Sequence, residues 1–243
     1  MTLRFINAPS PNFNERLHPL DMLVLHYTGM ADGPSALARM RDPAAAVSAH
    51  YMVEEDGTVF LLVAEEKRAW QAGRSWWQGH EDLNSRSIGI EIVNGGHEYG
   101  LPPFPDEQID AVIALCRQIL SRWPIPQSRI VAHSDIAPDR KEDPGERFPW
   151  RRLAEAGVGF WPRAAGPGVV LGAMPSLRST QMDLSVIGYH LVASGELDEP
   201  TRAVLRAFQR RWRSEQVSGE PDPATLALIA EIAAMVCAER LAS

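Results

Sequence analysis

The sequence predicts an α/β protein, with a mixed central β-sheet flanked by helices and a small C-terminal domain of three helices. Three observations support this fold class. Short apolar segments suited to buried strands recur through residues 22–132. An amphipathic helix predicted over residues 106–123 is suited to cover one face of the sheet. After residue 175 the apolar positions recur at helical spacing.

Two of the predicted strands lead into a histidine. Residues 22–25 precede His26, and residues 129–132 precede His133. Strands of one sheet that both end on an imidazole can bring the two rings together at one edge of that sheet. For either histidine alone, a solvated surface residue is the simpler interpretation, and the coincidence of two favours a shared site.

The residues after His133 form a loop whose content of Asp, Pro and Gly disfavours helix and strand. Lys141 and Asp143 lie in this loop, and Pro138 and Pro144 restrict its backbone. Imidazole and carboxylate suit zinc, which needs a third protein ligand if its fourth position is to hold water. We therefore predict a zinc site at strand ends. An ordinary surface turn with a capping aspartate is the alternative.

The segment between the first strand and the tryptophan-rich loop is predicted to contain a helix over residues 34–40 and a β-hairpin over residues 47–63. The hairpin turn falls at Asp56-Gly57, because this dipeptide accepts the positive φ of a tight turn. His50 lies on the first strand of the hairpin. A hydrogen-bonded core residue is the simplest interpretation of this histidine.

Residues 69–84 are predicted to form a loop that contains Trp70, Trp76 and Trp77. Aromatic faces in a loop can stack on sugar rings, but large aromatic side chains more often pack in a core or under a lid. We predict packing for Trp70. For the Trp76-Trp77 pair, packing and an exposed binding surface are equally compatible with the sequence.

Residues 87–93 are predicted to form a central strand that is buried on both faces, because they are apolar except for Glu91. A carboxylate in such a strand is costly unless it is paired, protonated or facing a cleft. A buried structural ion pair is one interpretation. A general base beside a metal is the other, and a neighbouring zinc site favours it.

Five motifs carry a resemblance to a known family: LVLHYTG, VSAHYMVEEDGTV, AWQAG, SIGIEIVN and AHSDIAPDRKEDPG. In this order they resemble the zinc-dependent N-acetylmuramoyl-L-alanine amidases of type 2, whose fold is shared by a phage-type lysozyme and the peptidoglycan recognition proteins. The resemblance covers about residues 22–150. It implies that zinc is bound by His26, His133 and Asp143, and not by His50.

The same resemblance implies a mechanism. Glu91 would accept the proton of the attacking water and pass it to the leaving amine, and Lys141 would face the developing oxyanion. The bond cut would join the lactyl carbonyl of N-acetylmuramic acid to L-alanine. One position departs from the family, which often has AWHAG where this chain has Gln71. We expect this change to affect substrate contacts and to leave the metal ligands untouched.

The C-terminal part is predicted to be a separate domain. We assign residues 1–163 to the amidase domain, 164–175 to a linker and 176–243 to three helices over residues 185–193, 199–213 and 222–238. This part resembles a small peptidoglycan-binding domain, with Asp198 and Asp222 suited to helix N-termini. Such a domain would hold the enzyme on a polymer. A purely structural role is the alternative.

Composition excludes several classes of function. A net charge of −7 over 243 residues argues against a nucleic-acid binder. The two cysteines, Cys116 and Cys237, imply no disulfide framework, and Cys116 fits a core position. The sequence shows neither a signal peptide nor an integral membrane segment. It therefore predicts a cytoplasmic protein, or a periplasmic or outer-membrane-associated one if a leader was removed.

Alternative functions remain open at this point. A non-catalytic peptidoglycan recognition protein is the main one, although such proteins typically lack a complete set of metal ligands. Another is a phage-type or regulatory protein whose C-terminal helices bind a protein. The sequence does not distinguish intact peptidoglycan from 1,6-anhydro-muropeptides as substrate, and it leaves the oligomeric state undetermined.

Overall fold

A computed structural model describes residues 2–162 and 175–242. The main sheet has six strands in the order β1-β5-β4-β7-β3-β8, and β2 pairs with β6 in a small second sheet. Strands β4, β7, β3 and β8 run parallel, β5 is antiparallel to β4, and β1 is parallel to β5. The strands are β1 (Phe5–Asn7), β2 (Phe13–Glu15), β3 (Met22–Tyr27), β4 (Tyr51–Val53), β5 (Val59–Leu61), β6 (Lys67–Ala69), β7 (Ser87–Ile92) and β8 (Ile130–Ala132).

Helices lie on both faces of the sheet, as the predicted fold class requires. They are α1 (Gly33–Arg41), α2 (Leu83–Arg86), α3 (Asp106–Arg122), α4 (His133–Ile136), α5 (Trp150–Glu155), α6 (Leu177–Ile187), α7 (Glu199–Trp212) and α8 (Pro223–Ala242). We refer to residues 175–242 as the C-terminal module. None of the helices in the described ranges combines the length and the hydrophobicity that a bilayer span needs.

The two faces of the sheet pack against different partners. Side chains alternate between the faces along a strand. On β3, Leu23 and Leu25 share a core with α3, whereas Met22 and Val24 share a core with the helices of the C-terminal module. The C-terminal module therefore covers one face of the sheet, and His26 continues the series of residues on that face.

Most of the predicted elements are confirmed. The hairpin has its turn at Gly57, with φ of 78°, and its strands β4 and β5 are antiparallel. His50 is fully buried, and its Nδ1 accepts a hydrogen bond from the Gly89 amide at 2.9 Å. Cys116 is a core residue. Asp198 and Asp222 accept backbone hydrogen bonds at the start of α7 and α8.

Two predictions about local structure are wrong. The loop predicted after residue 132 begins with the helical turn α4. The first C-terminal helix, predicted over residues 185–193, is α6, which spans Leu177–Ile187 and is followed by Gly188 as its C-cap. Gly188 has φ of 148°, and a Cβ there would lie 2.5 Å from the Trp77 ring, so packing against the amidase part ends this helix. The predicted linker, residues 164–175, lies almost wholly in 163–174, outside the described residues.

Trp77 joins the two parts of the molecule. It is 2% exposed, packs among residues of α6 to α8, and its indole donates a hydrogen bond to the Ser128 carbonyl at 3.1 Å. The neighbouring Trp76 is only partly buried and stacks on His190 with ring centroids 4.4 Å apart. Of the two alternatives considered for Trp77, core packing and an exposed binding surface, the structure shows core packing.

Trp77→Ala should lower the free energy of unfolding by about 3–5 kcal/mol, the usual effect of removing a fully buried tryptophan. Trp76→Ala is the matched control, and its effect should be clearly smaller because Trp76 is partly exposed. Denaturant unfolding of both variants measures the difference. Equal losses would show that the shared core contributes no more than the surface stack does.

Candidate active site

The carboxyl ends of β3, β7 and β8 meet at one edge of the sheet. His26 lies near the end of β3, and Glu91 lies opposite it in register on β7. His133 directly follows β8 as the first residue of α4. Because β3 is hydrogen-bonded to both neighbours, the parallel pairing brings the three side chains to one place. Asp143 reaches them from the loop after α4.

Three side-chain atoms converge at this edge. His26 Nδ1 and His133 Nδ1 lie 2.9 Å apart. Each of these nitrogens is 3.0 Å from Asp143 Oδ2. All three residues are buried. Together they form a group able to hold a metal ion, which we call the His-His-Asp cluster. The structure therefore brings together the three residues predicted as metal ligands.

The orientation of both imidazoles follows from contacts at their far nitrogens. His26 Nε2 donates to Gln71 Oε1, and His133 Nε2 donates to the Ala72 carbonyl at 3.2 Å. The amide of Gln71 is oriented in turn, since its Nε2 donates to Ser87 Oγ at 2.6 Å. With both Nε2 atoms protonated, the Nδ1 lone pairs face the Asp143 carboxylate. Such second contacts are usual for histidines that bind metals.

Gln71 lines the cavity, where the sequence predicts an effect on substrate contacts, but the prediction that it leaves the metal ligands untouched is wrong. The structure corrects this, since its side chain is the hydrogen-bond acceptor for His26. Gly89 makes room for it: a Cβ at that position would lie 2.6 Å from Gln71 Cγ. The departure from the family motif was a signal in the sequence, but the contact itself depends on the tertiary fold.

The electrostatics of the cluster favour a bound cation. Burial alone would lower the pKa of His26, but the carboxylates of Asp143 and Glu91 raise it. Burial alone would raise the pKa of Asp143, but the imidazoles of His133 and His26 hold it well below its usual range. Burial lowers the pKa of His133. Three electron-pair donors about one point need a proton or a metal cation among them, and this donor set fits a metal.

Glu91 stands beside the cluster with an unsatisfied oxygen. The residue is partly exposed overall, but its Oε2 is buried and has no hydrogen-bond partner among the described residues. Burial raises the pKa of Glu91 to about 7, the charge of Asp143 adds to this, and His26 and Lys141 oppose it. The structural ion pair considered for Glu91 is not observed in the described part of the chain. A carboxyl group with this pKa can exchange a proton near neutral pH.

The cluster opens into a cavity of about 450 Å³. Lys141 and Glu91 line this cavity together with all three residues of the cluster. Trp70 also lines it and is only partly buried, so the packing predicted for Trp70 is combined with exposure to the cavity. An amine, a carboxyl group and a cation site around one cavity can bind and hydrolyse a polar carbonyl compound.

Comparison with known proteins is consistent with this arrangement. Residues 16–146 match the family model for N-acetylmuramoyl-L-alanine amidase, and residues 174–229 match the model for a putative peptidoglycan binding domain. The N-acetylmuramoyl-L-alanine amidase AmiD of Escherichia coli is 37% identical over 86% of this chain and 80% of its own length. The 1,6-anhydro-N-acetylmuramyl-L-alanine amidase AmpD of Enterobacter cloacae is 41% identical over 44% of this chain and 56% of its own length.

Two solved structures share the fold. AmiD from E. coli, in complex with the substrate anhydro-N-acetylmuramic acid-L-Ala-D-gamma-Glu-L-Lys, matches with a TM-score of 0.80 and 33% identity over 92% of this chain and 98% of that one. AmpDh3 from Pseudomonas aeruginosa matches with a TM-score of 0.81 and 34% identity over 89% and 92%. The chain therefore belongs to the N-acetylmuramoyl-L-alanine amidase family of hydrolytic enzymes.

Proposed function

We propose that the protein is a zinc-dependent amidase that cleaves the bond between N-acetylmuramic acid, or its 1,6-anhydro form, and the L-alanine of the stem peptide. The observation that carries this proposal is the convergence of His26, His133 and Asp143 on one point, with the buried Oε2 of Glu91 beside it. A complete set of metal ligands with a proton acceptor beside it favours an enzyme over a recognition protein without activity.

Zinc fits the cluster better than a hard cation does. Two imidazole nitrogens and one carboxylate oxygen are a common donor set for catalytic zinc, which keeps its fourth position open. Donors about 2.0–2.2 Å from a tetrahedral zinc lie roughly 3.4 Å apart, so the observed donors need only a small outward movement. His26, His133 and Asp143 would hold the ion. Zinc supplies Lewis acidity, which polarises an amide carbonyl and makes a water molecule more acidic.

The residues around the cluster have separate roles in this proposal. Glu91 accepts the proton of the attacking water and delivers it to the nitrogen of the leaving L-alanine, since its pKa of about 7 allows both transfers. Lys141 provides positive charge at the cavity wall for the oxyanion of the tetrahedral intermediate. The hydrogen bond from His26 to Gln71 keeps the imidazole oriented throughout.

The relatives support a soluble muropeptide as the first substrate to test. AmiD was solved with an anhydro-N-acetylmuramic acid peptide, and AmpD is named for the 1,6-anhydro sugar. Mass spectrometry of an anhydro-muropeptide and of purified peptidoglycan, each incubated with zinc-loaded protein, tests the proposal. Release of the stem peptide with a free L-alanine amino terminus is the expected result. An intact bond in both substrates would reject the enzymatic function and favour recognition.

Gln71→Leu should weaken zinc binding. Leucine fills most of the space above Gly89 but cannot accept the hydrogen bond from His26, and loss of such a contact typically reduces metal affinity or activity by about 10–100-fold. Competition with a chelator measures the zinc dissociation constant. Gln108→Leu is the control, because Gln108 is also fully buried but donates to the carbonyls of Val53 and Val93 outside the site. Similar zinc affinity in both variants would remove Gln71 from the site.

A further inference from the structure

Two consecutive arginines of α7 reach from the C-terminal module into the amidase part. Arg211 is 5% exposed. Its guanidinium donates to Asp135 Oδ2 at 2.8 Å and to the Ile130 carbonyl at 2.9 Å. The same group lies over the rings of Trp150 and Trp212, with distances of 4.2 and 4.5 Å to the centroids. Arg211 thus contacts both β8 and α4.

Asp135 is the residue through which Arg211 contacts α4. Its side chain is fully buried. It accepts hydrogen bonds from the Ala132 amide at 2.9 Å and from the hydroxyl of Tyr189, in the C-terminal module, at 2.7 Å. Asp135 lies two residues after His133 in the same helical turn. Two side chains of the C-terminal module therefore hold the turn that carries one member of the His-His-Asp cluster.

Arg210 contacts the second segment of the site. Its side chain is 10% exposed and forms an ion pair with Glu142, which lies between Lys141 and Asp143. Arg210 Nε also lies 3.9 Å from Glu146 Oε2. The loop that carries Lys141 and Asp143 has no strand or helix from residue 137 to 149. Local backbone hydrogen bonds hold part of it, including one from the Ser134 amide to the Asp143 carbonyl at 3.0 Å, and the ion pair with Arg210 adds a contact from the C-terminal module.

From Glu146, further polar contacts lead toward His26, the third member of the His-His-Asp cluster. Glu146 Oε2 lies 3.0 Å from His97 Nε2, and His97 Nδ1 lies 3.0 Å from the hydroxyl of Tyr27. Tyr27 directly follows His26 on β3. A chain of polar contacts thus runs from Arg210 on α7 to Tyr27, the residue next to His26.

We infer that Arg210 and Arg211 are positioning residues of the active site, through which the C-terminal module holds the segments that carry His133, Lys141 and Asp143. This inference rests on the proposed amidase function. Neither arginine lines the cavity, so neither touches the substrate there. The C-terminal module thus helps to fix the positions of the active-site residues, in addition to any role in binding the polymer.

Charge favours this arrangement over an incidental contact. A buried ion pair is costly to desolvate, and hydrogen bonds to both groups offset that cost. Arg211 makes two such bonds, whereas its Nε has no partner among the described residues. Asp135 accepts three hydrogen bonds, so loss of Arg211 would leave its charge buried and uncompensated. Variants of Arg211 therefore risk unfolding. The Arg210–Glu142 pair is more exposed, with Glu142 at 48%, and is the pair to test.

Arg210→Gln, Glu142→Gln and the double variant form the experiment, with Arg210→Lys as the conservative variant. We expect kcat on the soluble muropeptide to fall and the zinc dissociation constant to rise in Arg210→Gln. Both changes should be smaller than the roughly 10- to 100-fold loss that follows removal of a partner bonded to a metal ligand itself, because Arg210 acts through Glu142. The change in KM should be smaller. The double variant should lose little more than either single one, because both remove the same contact. Lysine should restore part of kcat.

Arg206→Gln is the control, because Arg206 lies on the same helix and pairs with Glu199 inside the C-terminal module. Its kcat and zinc affinity should match those of the unmodified protein. A lower Tm in Arg210→Gln with unchanged kcat and zinc affinity would overturn the inference and leave only a stabilising contact. Inactivity of the unmodified zinc-loaded protein would instead reject the proposed function. In that case the zinc affinity of Arg210→Gln, compared with that of the unmodified protein, still tests the positioning role.

Discussion

We expect removal of zinc to abolish hydrolysis of the muropeptide amide bond and added zinc to restore it, which is the largest effect that the proposed mechanism predicts. The His-His-Asp cluster is the described group of residues that could hold a metal ion. Binding requires a deprotonated Asp143 and neutral imidazoles. Asp143 meets this requirement because the imidazoles of His133 and His26 hold its pKa well below its usual range despite burial. Activity before and after chelation, together with metal analysis, measures the effect.

A second readout of zinc binding does not depend on activity. A ligand that binds only the folded state stabilises it by about 2.7 kcal/mol when its free concentration is 100 times the dissociation constant. His133→Ala should abolish this stabilisation, because it removes one ligand. His18→Ala should retain it, since His18 is exposed and outside the cluster. Full activity in protein shown to contain no metal would contradict the zinc mechanism.

Glu91→Ala should retain zinc and lose nearly all turnover. Glu91 is not a member of the His-His-Asp cluster, but its buried Oε2 has no partner in the described residues, and burial raises its pKa to about 7. Removal of a general base commonly lowers the rate by about 10²- to 10⁴-fold. Steady-state kinetics on protein with measured metal content gives the size of the effect.

The choice of substitution separates proton transfer from shape. Glu91→Gln keeps the size of the side chain but replaces the carboxylate with a neutral amide, which does not accept a proton near neutral pH. Its kcat should therefore fall nearly as far as that of Glu91→Ala. Glu98→Gln is the matched control, because Glu98 lines the same cavity and is exposed. Its kcat should stay close to that of the unmodified protein. Near-normal turnover of a fully zinc-loaded Glu91→Gln protein would assign proton transfer to another group.

Much of the site was predictable because its residues carry local signals. His26 follows an apolar strand, and Glu91 interrupts another, and both patterns are visible within a few residues of sequence. His133, Lys141 and Asp143 lie within one short segment whose Pro and Gly content predicts an irregular loop. The motif order and the resemblance to the amidase family then assign roles, and the family assignment is confirmed by the comparisons.

The sequence by itself determined the fold class and the strands that carry the site, because strand and helix patterns depend on neighbouring residues. The resemblance of its motifs to the amidase family supplied the full group of side chains that meet there. Only the tertiary structure decided that Gln71 orients His26, that Gly188 ends α6 against Trp77, and that Arg210 and Arg211 hold the segments around the cluster. Each of these contacts joins residues far apart in the chain. The contact of Gln71 depends on how the loop before β7 packs on the sheet, and the other contacts depend on how the C-terminal module packs on it, so local sequence patterns do not predict them.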